Sequence, residues 1–161
     1  MNRRSFIKAT AAVLGFPTLI QASALGRAGR PAPSERITLG FIGYGTQGRY
    51  NASNFLQDDR VQAVAVCDCN RESSLYGYNS GEPGGRDYGT RMVNAHYAQK
   101  SGKPTYSGCA SFVDFRELLE KPGLDAVMIC TPDHWHAVMA IAAMRKGLHV
   151  YCQKPLSLSI A

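Results

Sequence analysis

No acidic residue precedes Glu35, and no apolar run approaches the ~20 residues of a membrane-spanning helix. Cysteine is sparse and odd in number, five in 161 residues, which excludes a small disulfide-stapled scaffold. Charged residues make up only 19% of the chain, but the 45% hydrophobic content is that of a globular protein and excludes wholesale disorder. Eighteen Lys and Arg face twelve Asp and Glu. Such a surplus argues for a polyanion partner only if the positive charge is concentrated on one face.

Part of the surplus sits at the very start. Arg3-Arg4 is followed by Phe6 and Lys8, then by a small-residue apolar stretch from Ala9 to Ile20 broken by Gly15 and Pro17. Ala22-Ser23-Ala24 closes it. A basic start, a short apolar centre and an A-x-A exit are the parts of an export signal. The paired arginines and modest hydrophobicity resemble the twin-arginine (Tat) type, read by a receptor in the translocation machinery. The expectation is a signal peptide over residues 1–24, a linker over 25–36 and an extracytoplasmic, periplasmic destination. Cleavage after Ala24 would remove three of the eighteen basic residues and none of the twelve acids, leaving a surplus of three. A nucleic-acid partner is not expected of so small a surplus.

Ile37 to Ile42 is a short apolar run, as befits a strand buried on both faces. It passes directly into Gly43-Tyr44-Gly45-Thr46-Gln47-Gly48, a G-x-G-x-x-G turn opening a helix that should reach Leu56. The first glycine of such a turn permits the bend, and the second lets a pyrophosphate approach the backbone. The third lets helix and strand pack, and the helix N-terminus offers free N–H groups to the phosphates. A second strand, Gln62 to Cys67, ends at Asp68, twenty residues beyond Gly48. An acid there accepts hydrogen bonds from the adenosine ribose and disfavours a 2′-phosphate. NAD is therefore the expected cofactor. Arg71, three residues on, can stack on adenine or meet a 2′-phosphate, which keeps NADP open.

The polar segment from Asn70 to Lys103 is rich in Gly, Tyr and Arg. Its centre, Gly77 to Gly89, has little periodicity and is expected as a surface loop near the adenosine end, without the repeated aromatics of an RNA platform. A helix over Met92 to Lys100 should end at Gly102. Thr105 to Ser107 is expected as a weak strand, and Phe112 to Lys121 as a helix with Phe112, Phe115, Leu118 and Leu119 on one face. Leu124 to Cys130, His136 to Lys146 and His149 to Cys152 continue as strand, helix and strand. The alternation predicts an α/β fold with a doubly wound parallel sheet (Rossmann). Cys67, Cys130 and Cys152 read as small core residues, and Cys109 as the exposed thiol.

Ligands of such sheets bind beyond the carboxyl ends of the strands. Two loops at that edge stand out: Thr131-Pro132-Asp133-His134-Trp135-His136 and Gln153-Lys154-Pro155. Together with the glycine turn and Asp68, they resemble the Gfo/Idh/MocA family of oxidoreductases, from Ile37 to the end of the chain. The resemblance implies that Thr131, Pro132 and His134 lie along the nicotinamide half of the cofactor. His136 would stand near the nicotinamide and the substrate. Lys154 would be the catalytic lysine, hydrogen-bonding the reacting hydroxyl and the nicotinamide ribose, where a cation stabilises a developing alkoxide. The family's glutamate is Gln153 here, so Lys154 lacks its adjacent anion. Duller readings stand beside these. His134 and His136 form an H-x-H pair with no third metal ligand at a persuasive spacing, so no metal is expected. They also read as polar residues of a helix's first turn, Trp135 as core, and Lys154 as a surface lysine.

The family pattern continues with a further helix, a sixth strand and an α/β substrate domain, so the chain is expected to be the cofactor half of a longer, homo-oligomeric protein. The expected activity is hydride transfer between nicotinamide and a hydroxyl carbon of a sugar, sugar derivative or cyclitol, on a tightly held NAD. Two alternatives remain: an NAD-dependent glycoside hydrolase that oxidises its sugar transiently, and a non-catalytic nucleotide-binding fragment.

Overall fold

The computed structural model describes residues 31–76 and 81–159. The signal and cleavage pattern expected at residues 1–24 lie outside them. The elements run β1 (Ile37–Ile42), α1 (Thr46–Leu56), β2 (Val61–Cys67), β3 (Ser73–Tyr76), β4 (Glu82–Gly84), α2 (Arg86–Ser101), β5 (Ala110–Phe112), α3 (Phe115–Leu119), β6 (Ala126–Ile129), α4 (His136–Arg145) and β7 (His149–Cys152).

Five strands form one sheet in the order β5-β2-β1-β6-β7, and every pairing is parallel. The chain builds outward from β1 to one edge, then returns past β1 to build the other half. The order reverses between β1 and β6, which opens a crevice at the carboxyl ends of those strands. Side chains alternate across the sheet. Phe41 and Met128 join Ala52, Leu56, Val93 and Tyr97 on one face, where α1 and α2 pack. Ile42, Val127 and Ile129 join Leu118, Met139 and Ala143 on the other, with α3 and α4. All four residues of β6 are buried, because both faces of this central strand are covered.

Four expectations are corrected. The segment after β2 is not a featureless loop: β3 and β4 pair antiparallel as a separate two-stranded ribbon. The helix after it begins at Arg86, six residues before Met92, and ends at Gly102 in the left-handed conformation. Only Gly89, Val93 and Tyr97 of its residues are buried, one per turn, so the apolar signal is too thin to mark its first half. The third strand of the parallel sheet is Ala110–Phe112 rather than Thr105–Ser107. Tyr106 is held instead by its side chain, its ring tilted against that of Tyr97 with centroids 5.3 Å apart and its hydroxyl accepting from Gln62 Nε2 at 3.2 Å. Phe112 thus belongs to a strand, and α3 starts only after Asp114, whose carboxylate accepts the Arg116 N–H at 2.8 Å and caps the helix.

Candidate functional site

A cleft of about 640 Å³ opens at the carboxyl edge of the sheet. Its walls come from the ends of four strands: the glycine turn after β1, Cys67 to Asn70 after β2, Val113 to Arg116 after β5, and Cys130 to Trp135 after β6.

The glycine turn is drawn tight by its neighbours. The Gly43 N–H donates to the Cys67 carbonyl at 2.8 Å. Gly43 has φ +85°, and a Cβ there would stand 2.6 Å from the Cys130 carbonyl oxygen. A Cβ on Gly48 would come within 2.1 Å of the Gly43 carbonyl oxygen, so α1 rests directly on the turn. Gly45 precedes α1 without a side chain to cap it, and Gly45, Thr46 and Gln47 line the cleft.

Asp68 is 8% exposed and stands opposite. Its carboxylate accepts the N–H of Tyr44 at 2.9 Å and the N–H of Asn70 at 2.9 Å. The Tyr76 hydroxyl lies 3.3 Å from Asp68 Oδ1. Tyr44 contributes only its backbone here. Its ring is buried against Phe41 and Tyr88, and burial pushes its phenol far above the ordinary range.

Thr131, Pro132 and His134 line the far half of the cleft, with Trp135 and Met139 beside them. The His134 N–H donates to the Asp133 carboxylate at 2.8 Å. His136 departs from the expected place. It is 2% exposed and does not line the cleft. Its Nε2 lies 2.8 Å from the Thr131 carbonyl and its Nδ1 2.6 Å from the Pro155 carbonyl. The residue is a positioning residue: it braces the loop after β6 against the loop after β7, which carries Gln153 and Lys154. Gln153 turns its Oε1 to the Lys154 N–H at 2.9 Å, and the Lys154 side chain is exposed outside the cleft lining.

Arg71 is also displaced from its expected role. Its guanidinium donates to Asp87 at 2.8 Å and does not reach the cleft. The neighbouring Glu72 pairs with Arg91 at 2.7 Å. Cys109, expected as the exposed thiol, is 7% exposed, and burial pushes it up to about 12. Cys69 is the exposed one. Among the described residues no group of three or more His, Cys, Asp or Glu could hold a metal ion.

Several lining residues escaped the sequence reading. Val113 to Arg116 were missed because the third strand was expected too early, although Asp114 carried a capping signal. Tyr76 was missed because nothing in a Gly- and Tyr-rich segment marks one tyrosine over another.

The residues present fit a dinucleotide. Gly45 and the first residues of α1 line the cleft with no side chain on the glycine, the acid stands at the end of β2, and four strand ends wall the cleft. A parallel sheet of this order with this turn is a dinucleotide-binding domain. The comparisons give the family. Its profile, described as an oxidoreductase family with an NAD-binding Rossmann fold, matches residues 37–161. The chain belongs to the Gfo/Idh/MocA oxidoreductase family.

Among similar sequences, a "Glycosyl hydrolase family 109 protein" of Stenotrophomonas maltophilia is 36% identical, covering 95% of this chain and 29% of that protein. The "Alpha-N-acetylgalactosaminidase" of Shewanella oneidensis is 32% identical over 99% of this chain and 35% of its own length. The chain thus spans about a third of the length of these relatives. Among solved structures, a probable dehydrogenase from Thermotoga maritima aligns with a TM-score of 0.51 at 28% identity, covering 76% of this chain and 29% of that one. Scyllo-inositol dehydrogenase from Lactobacillus casei, solved with NAD(H) and scyllo-inositol, shares the fold with a TM-score of 0.57 at 21% identity, over 78% of this chain and 30% of that one.

Proposed function

We propose that this chain binds NAD along the cleft and serves an exported enzyme that reacts at a hydroxyl-bearing carbon of an amino sugar glycoside, with hydrolysis as the net result. The observation that carries the cofactor reading is the convergence of Gly43, Gly45 and Asp68 on one cleft with Thr131 and Pro132, with Gly48 packed against the Gly43 carbonyl behind the turn. The glycine turn and the first amides of α1 take the pyrophosphate, as such turns do. Asp68 accepts the adenosine ribose hydroxyls, and the Asp87 carboxylate on Arg71 favours NAD over NADP. Thr131, Pro132 and His134 border the nicotinamide half.

NAD in this cleft supplies a hydride acceptor that can also return the hydride. Lys154, on the loop braced by His136, hydrogen-bonds the reacting hydroxyl and accompanies its proton. The hydrolytic outcome is favoured by the names of the relatives at 36% and 32% identity. Export by the twin-arginine route rests on Arg3-Arg4 and Ala22-Ser23-Ala24. Folded export would carry NAD along, which calls for tight binding.

The test uses the native gene product and a nitrophenyl N-acetylgalactosaminide. Release of nitrophenol without added NAD and without net NADH supports hydrolysis. Accumulation of NADH with a free sugar or cyclitol supports the second reading, a dehydrogenase. Nucleotide released on denaturing the periplasmic protein supports tight binding.

A further inference from the structure

Tyr76 lies in the cleft against Asp68, the acid that would hold the adenosine ribose of a bound cofactor. Its ring lies over Gly45: a Cβ on that glycine would be 2.8 Å from Tyr76 Cδ1. On its other side the ring meets Gly84, where a Cβ would be 2.5 Å from Tyr76 Cδ2. Two glycines thus flank opposite edges of the ring and leave a slot as wide as the ring. At the end of the slot the hydroxyl reaches both Asp68 oxygens, at 3.3 Å and 3.5 Å, and accepts from Asn70 Nδ2 at 2.7 Å. A ribose hydroxyl would make the same kind of bond to the same carboxylate. A phenol is a fair mimic, since it donates to a carboxylate and can accept from an amide.

We propose that Tyr76 is a built-in competitor for the adenosine end of the cofactor site. It closes the slot between Gly45 and Asp68 when no nucleotide is bound, and it must leave for the ribose and pyrophosphate to enter. The inference rests on the cofactor reading above. Its function would be to spare a cleft with an apolar lining and a buried carboxylate from standing open, and to set the affinity for the adenosine half. A site that is open only part of the time binds with its intrinsic affinity reduced by the open fraction.

Removing the ring should therefore tighten binding. Calorimetric titration of the native gene product, freed of bound nucleotide, with NAD and with ADP-ribose compares wild type, Tyr76→Phe and Tyr76→Ala. Tyr76→Ala is expected to bind both ligands about tenfold more tightly, as relief from a mostly closed site would give. Tyr76→Phe, which keeps the ring but loses the bonds to Asp68 and Asn70, should fall between. Unchanged or weaker binding in both variants, with wild type binding normally, overturns the competitor and leaves the cofactor reading intact. A gain with NAD but none with ADP-ribose also overturns it, because the competition is placed at the adenosine half. If all three forms bind neither ligand, the cofactor reading falls and takes this inference with it. Far-UV circular dichroism of each variant verifies folding, and Tyr76→Phe stands in if Tyr76→Ala does not fold.

Discussion

The backbone N–H of Tyr44 donates to Oδ2 of Asp68 at 2.9 Å, joining residues 24 apart in the chain. The contact makes the glycine turn and the acid one unit. The carboxylate that would recognise a ribose also holds the turn that would recognise the pyrophosphate, so the two halves of the adenosine site cannot shift independently.

Asp68→Asn keeps the size but removes the charge and one acceptor oxygen. Hydrogen bonds to a charged group contribute about 1.5–3 kcal/mol, so NAD affinity should fall by about tenfold or more. Discrimination against NADP should shrink at the same time, because the charge that repels a 2′-phosphate is gone. Parallel calorimetric titrations with NAD and NADP measure both effects.

The glycines of the turn should separate fold from function. Gly48→Ala drives a Cβ to within 2.1 Å of the Gly43 carbonyl oxygen, a clash of backbone with no flexible group to give way. Overpacking of this kind costs about 1–3 kcal/mol and should lower the thermal midpoint by several degrees. Gly45 has φ −85°, which alanine tolerates. Gly45→Ala puts a Cβ 2.8 Å from Tyr76 Cδ1, so that ring must shift. The midpoint should fall less than for Gly48→Ala, where the clash is with backbone, and NAD binding should be lost, since the Cβ stands where the pyrophosphate approaches.

His136→Ala should destabilise the chain without direct loss of a ligand contact. It leaves two backbone carbonyls without their partner and opens a cavity at a site 2% exposed. The expected cost is about 2–4 kcal/mol, read by urea denaturation. Hydrogen exchange at Gln153 and Lys154 should quicken, because the brace to Pro155 is lost.

Cysteine chemistry supplies a pH prediction. Burial pushes Cys67 and Cys109 from 9.0 up to about 12. A folded thiol that keeps its proton beyond the unfolded value contributes stability that is full below pH about 9 and is lost as pH rises toward 12. The denaturation midpoint should therefore decline over that window. With native protein at pH 8, iodoacetamide should modify exposed Cys69 and spare Cys67 and Cys109, as peptide mapping would reveal.

Much of the cofactor end was legible in the residues. Ile37–Ile42, the glycine turn, α1 and β2 with Asp68 are each encoded by neighbours in sequence, and the structure brings them to one cleft. Gly102 stopped its helix for an equally local reason, whereas the next helix was expected from Phe112 and starts only after its cap at Asp114. The legibility failed where a segment is held by contacts from far away. The first half of α2 is helical with only Gly89 and Val93 buried, and it packs beneath Tyr44 through Gly89. The short β5 exists because Ala65, Val66 and Cys67 offer it a partner, not because three residues prefer a strand.

From the order of its residues alone, the chain determined a parallel α/β sheet, a phosphate-binding turn and an acid one strand away, since each depends on backbone geometry set within a few positions. Only the tertiary structure decided where side chains point. It sent the Tyr44 ring into the core, Arg71 to Asp87, His136 between two carbonyls, and Tyr76 onto Asp68. Those outcomes depend on which neighbours compete for each group once the sheet has folded, and no local pattern records that competition.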